Sequence, residues 1–76
     1  MRITDLEPGA VYVVTDSFRD DGGTLVLPGD RLTFERYVVV PQTGELDVIF
    51  REETLTLSED RQRDVVEHVE WFLSEA

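Results

Sequence analysis

The chain contains no cysteine and no lysine among its 76 residues, and its single histidine is His68. The absence of cysteine excludes disulfide bonds and thiolate metal sites, and it is typical of a reducing, intracellular setting. No apolar run approaches the roughly 20 residues that a membrane-spanning helix needs, and the N-terminus has no apolar signal segment. We therefore expect a soluble, cytoplasmic protein that does not bind membranes.

Reactive side chains are scarce elsewhere in the chain as well. His68 has neither a second histidine nor a cysteine with which to share a metal ion or relay a proton. No glycine-rich phosphate loop is present, and neither Ser17 nor Ser58 has a nearby base. The sequence predicts a protein that is not an enzyme, with no catalytic residue, no metal site and no cofactor.

The charge of the chain has one dominant sign. Seventeen acidic residues against seven arginines give a net charge of −10. Such a surface repels phosphate backbones and anionic lipid, so we expect no direct contact with nucleic acid. Three interpretations stay open: attraction to a basic protein, imitation of a nucleic acid's charge by an inhibitor or immunity-type protein, and a merely solubilising acidic surface.

Strands dominate the predicted fold. Residues 1–76 are too few for more than one domain, and a chain of this size buries roughly 60 to 65% of its unfolded surface. Alternating apolar residues and glycine-containing turns predict five strands, at 11–15 with a possible continuation to Phe18, then at 24–27, 31–40, 46–51 and 54–57. A bulge is expected near Glu35-Arg36, where the apolar series breaks. The predicted sheet core comprises Val11, Val13, Leu25, Leu32, Phe34, Val38, Val48, Phe50, Leu55 and Leu57.

The C-terminal segment has helical rather than strand-like spacing. Ser58 is a good N-cap, and two carboxylates follow it in what would be the first turn. At 100° per residue one apolar stripe forms, made of Val65, Val66, Val69, Phe72 and Leu73. The sequence therefore predicts one amphipathic helix over about 58–74, packed on the sheet.

Trp71 lies outside that apolar stripe. Large aromatic side chains on a polar surface are over-represented among the anchors of interfaces, so Trp71 is a candidate partner-binding residue. The acids around it would form a polar rim and would favour a basic partner; they are Asp64, Glu67, Glu70 and Glu75. The contact would be with a partner protein or with a second copy, so the chain is a monomer or a homodimer. Two alternatives stay open: that the N-terminal segment covers Trp71 through Ile3 or Leu6, and that the ring lies flat along the edge of the sheet.

A second acidic group, the loop from Asp16 to Gly22, offers a different interpretation. Carboxylates at Asp16, Asp20 and Asp21 suggest a cation or small-ligand site, although their spacing does not match a calcium-binding helix-loop-helix loop. The competing interpretation is a tight turn in which aspartate side chains accept hydrogen bonds from loop amides.

Four short patterns lie in the strand region: Gly9-x-x-Tyr12, Ser17-Phe18-x-Asp20-x-Gly22, Gly29-Asp30-x-Leu32-x-Phe34 and Leu46-x-Val48-x-Phe50. Together they resemble a family of small uncharacterised bacterial domains that have an aspartate-glycine turn, a glycine-acid-x-aromatic-x-phenylalanine stretch and a terminal helix. The resemblance implies a mainly β (α+β) fold and no known activity. The expected fold is a five-stranded, bent antiparallel SH3-like barrel or sheet with one C-terminal amphipathic helix, and the competing arrangement is a flat meander with the helix on one face.

Overall fold

The computed structural model describes all 76 residues and contains seven strands, one α-helix and two 3₁₀ helices. The α-helix, α1, spans Arg63–Glu67, and the 3₁₀ helices span Ile3–Asp5 and Val69–Trp71. No helix has the length and apolar character needed to cross a bilayer. The strands are β1 (Val11–Val14), β2 (Phe18–Arg19), β3 (Leu25–Val26), β4 (Arg31–Val39), β5 (Leu46–Phe50), β6 (Thr54–Leu57) and β7 (Leu73–Glu75).

Five strands form one antiparallel sheet in the order β6-β5-β4-β1-β7, and β2 and β3 form a separate hairpin. The sheet is open, because β6 and β7 lie at opposite edges and do not pair with each other. The mainly β class and the five-stranded antiparallel sheet are confirmed, whereas the closed SH3-like barrel is not formed. The turn predicted at residues 20–23 does join two strands, but they are β2 and β3, because β1 ends at Val14.

The predicted helix over 58–74 is wrong in extent, since only Arg63–Glu67 is α-helical. The helix stops at His68, because the N–H of Val69 donates to the carbonyl of Met1 (3.0 Å) instead of to the carbonyl four residues earlier. The last residues then form β7, which pairs with β1 so that Ser74 lies opposite Val13. This pairing supplies hydrogen-bond partners for the edge of β1 that does not face β4. Strand pairing therefore outweighs the helical spacing of the C-terminal segment.

Ser58 caps a turn rather than a helix. Its Oγ accepts weak hydrogen bonds from the N–H groups of Asp60 (3.3 Å) and Arg61 (3.4 Å), and its own N–H donates to Oε1 of Gln62 (2.8 Å). The helix proper begins after Gln62, which makes no side-chain cap bond. The apolar stripe is nevertheless placed as predicted, because Val65, Val66, Val69 and Leu73 are buried and Phe72 is half-buried.

The predicted bulge in β4 is confirmed, with the register shifting between Phe34 and Arg36. The extra residue reverses which face each following side chain occupies. Tyr37 and Val39 pair with Val48 and Leu46, so they share the core-facing side, and Val38 is turned outward. The prediction that Val38 is a core residue is wrong: its side chain is turned outward, and this end of β4 is exposed on both faces, with Tyr37 and Val39 exposed as well.

The core lies between the sheet, the β2–β3 hairpin and the short helices. Six of the ten predicted sheet residues are buried: Leu32, Phe34, Val48, Phe50, Leu55 and Leu57. Val11 and Val13 are only half-buried and Leu25 is exposed, so these predictions were one residue out of phase. Tyr12, Val14 and Val26 take the buried positions instead, and the hydroxyl of Tyr12 accepts a hydrogen bond from the N–H of Glu7 (2.9 Å).

Candidate partner-binding surface

Trp71 is held outward by two anchored neighbours. Val69, two residues before it, is fully buried, and the half-buried ring of Phe72 packs edge-to-face on Phe18 with centroids 5.5 Å apart. The 3₁₀ bonds from the N–H of Trp71 to His68 and from the N–H of Phe72 to Val69 set the backbone between them. The indole therefore projects from a rigid segment, since its neighbours fix the direction of the chain.

The indole is the most exposed large apolar side chain of the protein, at 55%. The imidazole of His68 stacks on it with ring centroids 4.2 Å apart and an interplanar angle of 14°. Ile3 and Leu6 are buried in the core, so the prediction that they cover Trp71 is wrong. Stacking supports one face of the indole and leaves the rest of the ring available for contact.

Glu70 lies beside Trp71 and meets the N-terminus. Its Oε1 lies 3.0 Å from the ammonium of Met1, and its Oε2 lies 3.8 Å from Nδ1 of His68. A hydrogen bond from its own backbone N–H and a second from the Met1 ammonium lower the pKa of Glu70 below its ordinary value. This carboxylate consequently stays ionised to a lower pH than an ordinary glutamate.

A groove of about 450 Å³ opens between the N-terminal segment and the chain from Val69 to Glu75. Apolar side chains form its floor and four carboxylates stand around it. The acids are Asp5, Glu7, Glu70 and Glu75, and the apolar residues are Met1, Leu6, Tyr12, Val69 and Leu73. The groove thus combines a hydrophobic base with a strongly negative rim; Val69 and Glu70 of the 3₁₀ helix line it, and Trp71, the last residue of that helix, does not.

The predicted rim residues do not all gather at this groove. Glu70 and Glu75 line it, but Asp64 lines a different groove of about 300 Å³ that also contains Arg19, Arg61 and Arg63. Glu67 is exposed on α1 and makes no ion pair or side-chain hydrogen bond. Because the helix ends at Glu67, helical spacing does not relate Asp64 and Glu67 to Trp71.

The segment from Asp16 to Gly22 is not one loop, because Phe18–Arg19 form β2, and the hydrogen-bonded turn begins at Asp20. Asp20 is 6% exposed, and its two carboxylate oxygens accept bonds from the N–H groups of Thr24 (2.7 Å) and Thr56 (2.9 Å). Asp21 pairs with Arg61 at 3.0 Å, and no group of three or more potential metal ligands exists in the structure. The interpretation of a turn in which an aspartate side chain accepts hydrogen bonds from backbone amides is confirmed. The alternative of a cation site is not supported by any cluster of potential ligands.

Sequence reasoning missed Asp5 and Glu7 as members of the acidic groove. They lie more than sixty residues before Glu70 along the chain, and no local pattern connects the two segments. The connecting contacts are the Met1 ammonium on Glu70 and the Met1 carbonyl on the N–H of Val69. These are tertiary contacts, for which helical or strand spacing carries no signal.

No protein-family model and no curated protein matches the chain. One similar solved structure is an integron cassette protein of unknown function from the mobile metagenome of Vibrio cholerae. The two structures superpose with a TM-score of 0.86 at 23% sequence identity, over 93% of this chain and 88% of the other. At this identity the likeness shows the fold alone, so the chain shares its architecture with an uncharacterised bacterial protein, and the SH3-like family assignment is not confirmed.

Proposed function

We propose that this protein is a non-catalytic binding module that docks a basic segment of another protein on the groove beside Trp71. The observation that carries the proposal is a groove with an apolar floor and four surrounding carboxylates, lined by Val69 and Glu70 of the same 3₁₀ helix that exposes the Trp71 indole. Interface anchors are typically aromatic and central, and charged residues typically form the rim.

The contact between Met1 and Glu70 indicates which kind of cation the groove accepts. A primary ammonium already lies at 3.0 Å from the Glu70 carboxylate, with the Met1 side chain along the groove. A lysine or arginine side chain has the same combination of an apolar stem and a cationic head. Its stem would lie on Leu6 and Leu73 while its head approached Glu7 or Glu75, which make no ion pair within the chain.

The overall charge favours the same partner. A net charge of −10 attracts a cationic segment over distances of about 8 to 10 Å at moderate ionic strength. Electrostatic attraction of this kind mainly raises the association rate, whereas the buried aromatic contact governs dissociation. Binding should therefore weaken as salt concentration rises, because the rim carboxylates are exposed and easily screened.

Isothermal titration with a short synthetic peptide of arginine, lysine and one leucine tests this proposal. Trp71→Ala should weaken binding about 30-fold, equivalent to the roughly 2 kcal/mol typical of an anchoring aromatic. Glu75→Gln should weaken it by about fivefold, as expected for a partly exposed charge pair. Leu27→Ala and Glu53→Gln are matched controls on other parts of the surface, and both should bind like the wild type.

Two results would contradict the proposed function. The first is equal affinity in Trp71→Ala and in the Leu27→Ala control, provided that both variants keep the wild-type circular dichroism spectrum. The second is binding that does not change between low and high salt. A peptide in which every basic residue is replaced by glutamine should not bind at all.

A further inference from the structure

Strand β4 extends beyond its partner β1 and leaves one edge open. β1 pairs with Arg31–Thr33, and the last bonds between the two strands join Phe34 to Gly9 and Ala10. Beyond the bulge, Tyr37, Val38 and Val39 pair only with β5. One side of this three-residue stretch therefore faces no other strand.

The register shows which backbone groups face the open side. The N–H of Val40 donates to the carbonyl of Glu45 (2.8 Å), so Val40 belongs to a hydrogen-bonded pair. Such pairs alternate along an antiparallel ladder, and Val38 consequently bonds to β5 while Tyr37 and Val39 point away from it. No hydrogen bond joins Tyr37 or Val39 to the loop before β1. Two N–H and two C=O groups are thus available for a further strand.

The side chains of this open edge are uncharged and exposed. Tyr37, Val38 and Val39 are 43%, 44% and 52% exposed. By contrast, the free edge of β6 is covered: the N–H of Asp21 donates to the carbonyl of Thr56 (2.8 Å), and the N–H of Thr56 donates to Asp20. An exposed apolar edge with free backbone groups is a template for pairing with another strand.

We infer that the open edge of β4 pairs with the same edge of a second copy of this chain, antiparallel about a two-fold axis through Val38. In this register Tyr37 of each copy lies opposite Val39 of the other, and four backbone hydrogen bonds form between them. The two Val38 side chains meet in the non-hydrogen-bonded position between these pairs. A two-fold contact of this kind is self-complementary and closes at two copies.

The two ends of the stretch fit this register. Pro41 of one copy would lie opposite Glu35 of the other, and proline has no N–H with which to continue a ladder. At that point the partner's edge is already occupied, because Phe34 bonds to Ala10. The bulge on one side and the proline on the other therefore limit the pairing to Tyr37–Val39.

Charge complementarity favours a second copy over an unrelated strand. Arg36 makes no ion pair in the chain, whereas Glu45 lies against the like-charged Asp21. In the two-fold register Arg36 lies opposite Val40 of the partner, whose neighbour on β5 is Glu45. Two strand spacings, about 10 Å, separate the two backbones, a gap that an extended arginine and a glutamate can bridge. Each copy would supply a carboxylate to Arg36 of the other, which has no ion-pair partner in its own chain.

The contact is small, so the dimer is expected to be weak. Three residues from each copy form an interface well below the roughly 1,200 Å² of a standard stable complex. Two copies of net charge −10 also repel each other, and this repulsion falls as salt screens it. The dimer should therefore appear at high protein concentration and should strengthen with salt.

Oxidation of Val38→Cys tests the register directly, because the chain has no other cysteine. Residues opposite each other in a non-hydrogen-bonded pair have Cα atoms about 4.5 Å apart, within the range of about 4.4 to 6.8 Å that disulfides require. Val38→Cys should form a disulfide-linked dimer under mild oxidation. Leu27→Cys, at a comparably exposed position away from the edge, is the control and should remain mostly monomeric.

Sedimentation equilibrium on the unmodified chain provides the second measurement. Val39→Lys should abolish association at every concentration, whereas Leu27→Lys, which changes the charge equally, should leave it intact. A wild-type chain that stays monomeric at millimolar concentration and high salt overturns the inference, as does equal disulfide formation in the two cysteine variants. In either case the edge would be left to a strand from a different protein.

The salt dependence separates this inference from the proposed function. Docking of a basic peptide weakens with salt and depends on Trp71, whereas self-pairing strengthens with salt and depends on Val39. Val39→Lys should therefore still bind the peptide, and Trp71→Ala should still dimerise. Failure of one proposal leaves the other standing.

Discussion

Asp20 is the polar residue on which the turn before β3 most depends. Its carboxylate accepts two backbone N–H bonds, from Thr24 within the turn and from Thr56 on the edge of β6. Its backbone N–H and C=O bond to Thr24 and Gly23 as well. The residue therefore joins the β2–β3 hairpin to the main sheet, which apolar packing alone would hold only through Phe18 and Val26.

Replacement of Asp20 by alanine leaves both N–H groups without an acceptor. Each unsatisfied, partly buried donor costs about 1 to 3 kcal/mol, and water reaches the exposed Thr24 more easily than Thr56, so we expect a total of about 3 kcal/mol. For a domain of this size that loss corresponds to a decrease in Tm of roughly 12 to 24 °C. Asp20→Asn should cost about half as much, since one carbonyl oxygen remains as an acceptor.

Thermal and urea denaturation followed by circular dichroism measure this loss. Asp16→Ala is the matched control, because Asp16 is an aspartate just before β2 that is exposed and makes no side-chain hydrogen bond. It should change stability by less than about 0.5 kcal/mol. Equal effects of the two substitutions would refute the assignment of Asp20 as the residue that holds the hairpin.

Two further substitutions test individual contacts. A hydrogen bond to the Asp21 carboxyl raises the pKa of Glu45, so ionisation of Glu45 disfavours the folded state. Glu45→Gln should raise the denaturation midpoint at neutral pH, and the gain should vanish below the ordinary carboxyl range, where Glu45 is protonated in both states. Tyr12→Phe removes the acceptor of the Glu7 N–H and should cost about 1 kcal/mol in urea denaturation, whereas Tyr37→Phe, whose hydroxyl makes no bond, should have little effect.

The phase of β4 shows how one local feature limits prediction from sequence. The strand and the position of the bulge were both predicted, and both are confirmed, but burial along β4 does not alternate: Leu32, Thr33 and Phe34 are buried and the residues after them are exposed. The extra residue, however, moves Tyr37 and Val39 to the core side and Val38 to the outside. A bulge is visible in a sequence as a break in the apolar series. Every residue after it changes face, so the predicted core residues of the rest of the strand must be reassigned.

The C-terminal segment shows a different limit. Val65, Val66 and Val69 have helical spacing, and they are buried as expected, yet the α-helix is five residues long. Leu73–Glu75 pair as a strand with the free edge of β1. The N–H of Val69, which would have continued the helix, donates to the carbonyl of Met1 instead. Both competitors are distant in sequence, so local spacing could not reveal them.

The candidate site was predicted in part. An exposed tryptophan next to acidic residues was expected from the sequence, and Trp71 and Glu70 do lie together on the surface. The groove itself depends on the N-terminal segment, which brings Asp5, Leu6 and Glu7 against the C-terminal residues. That arrangement follows from packing between the two ends of the chain.

Fluorescence of Trp71 during titration with the arginine- and lysine-containing peptide is the most direct test of the central claim. Trp71 is the one tryptophan of the chain, so the emission reports on this surface alone. The proposed docking predicts a saturable shift to shorter wavelength as the half-exposed indole loses water, with weaker binding at high salt. Saturable binding by calorimetry with an unchanged emission spectrum would place the basic segment elsewhere and would contradict the proposed site.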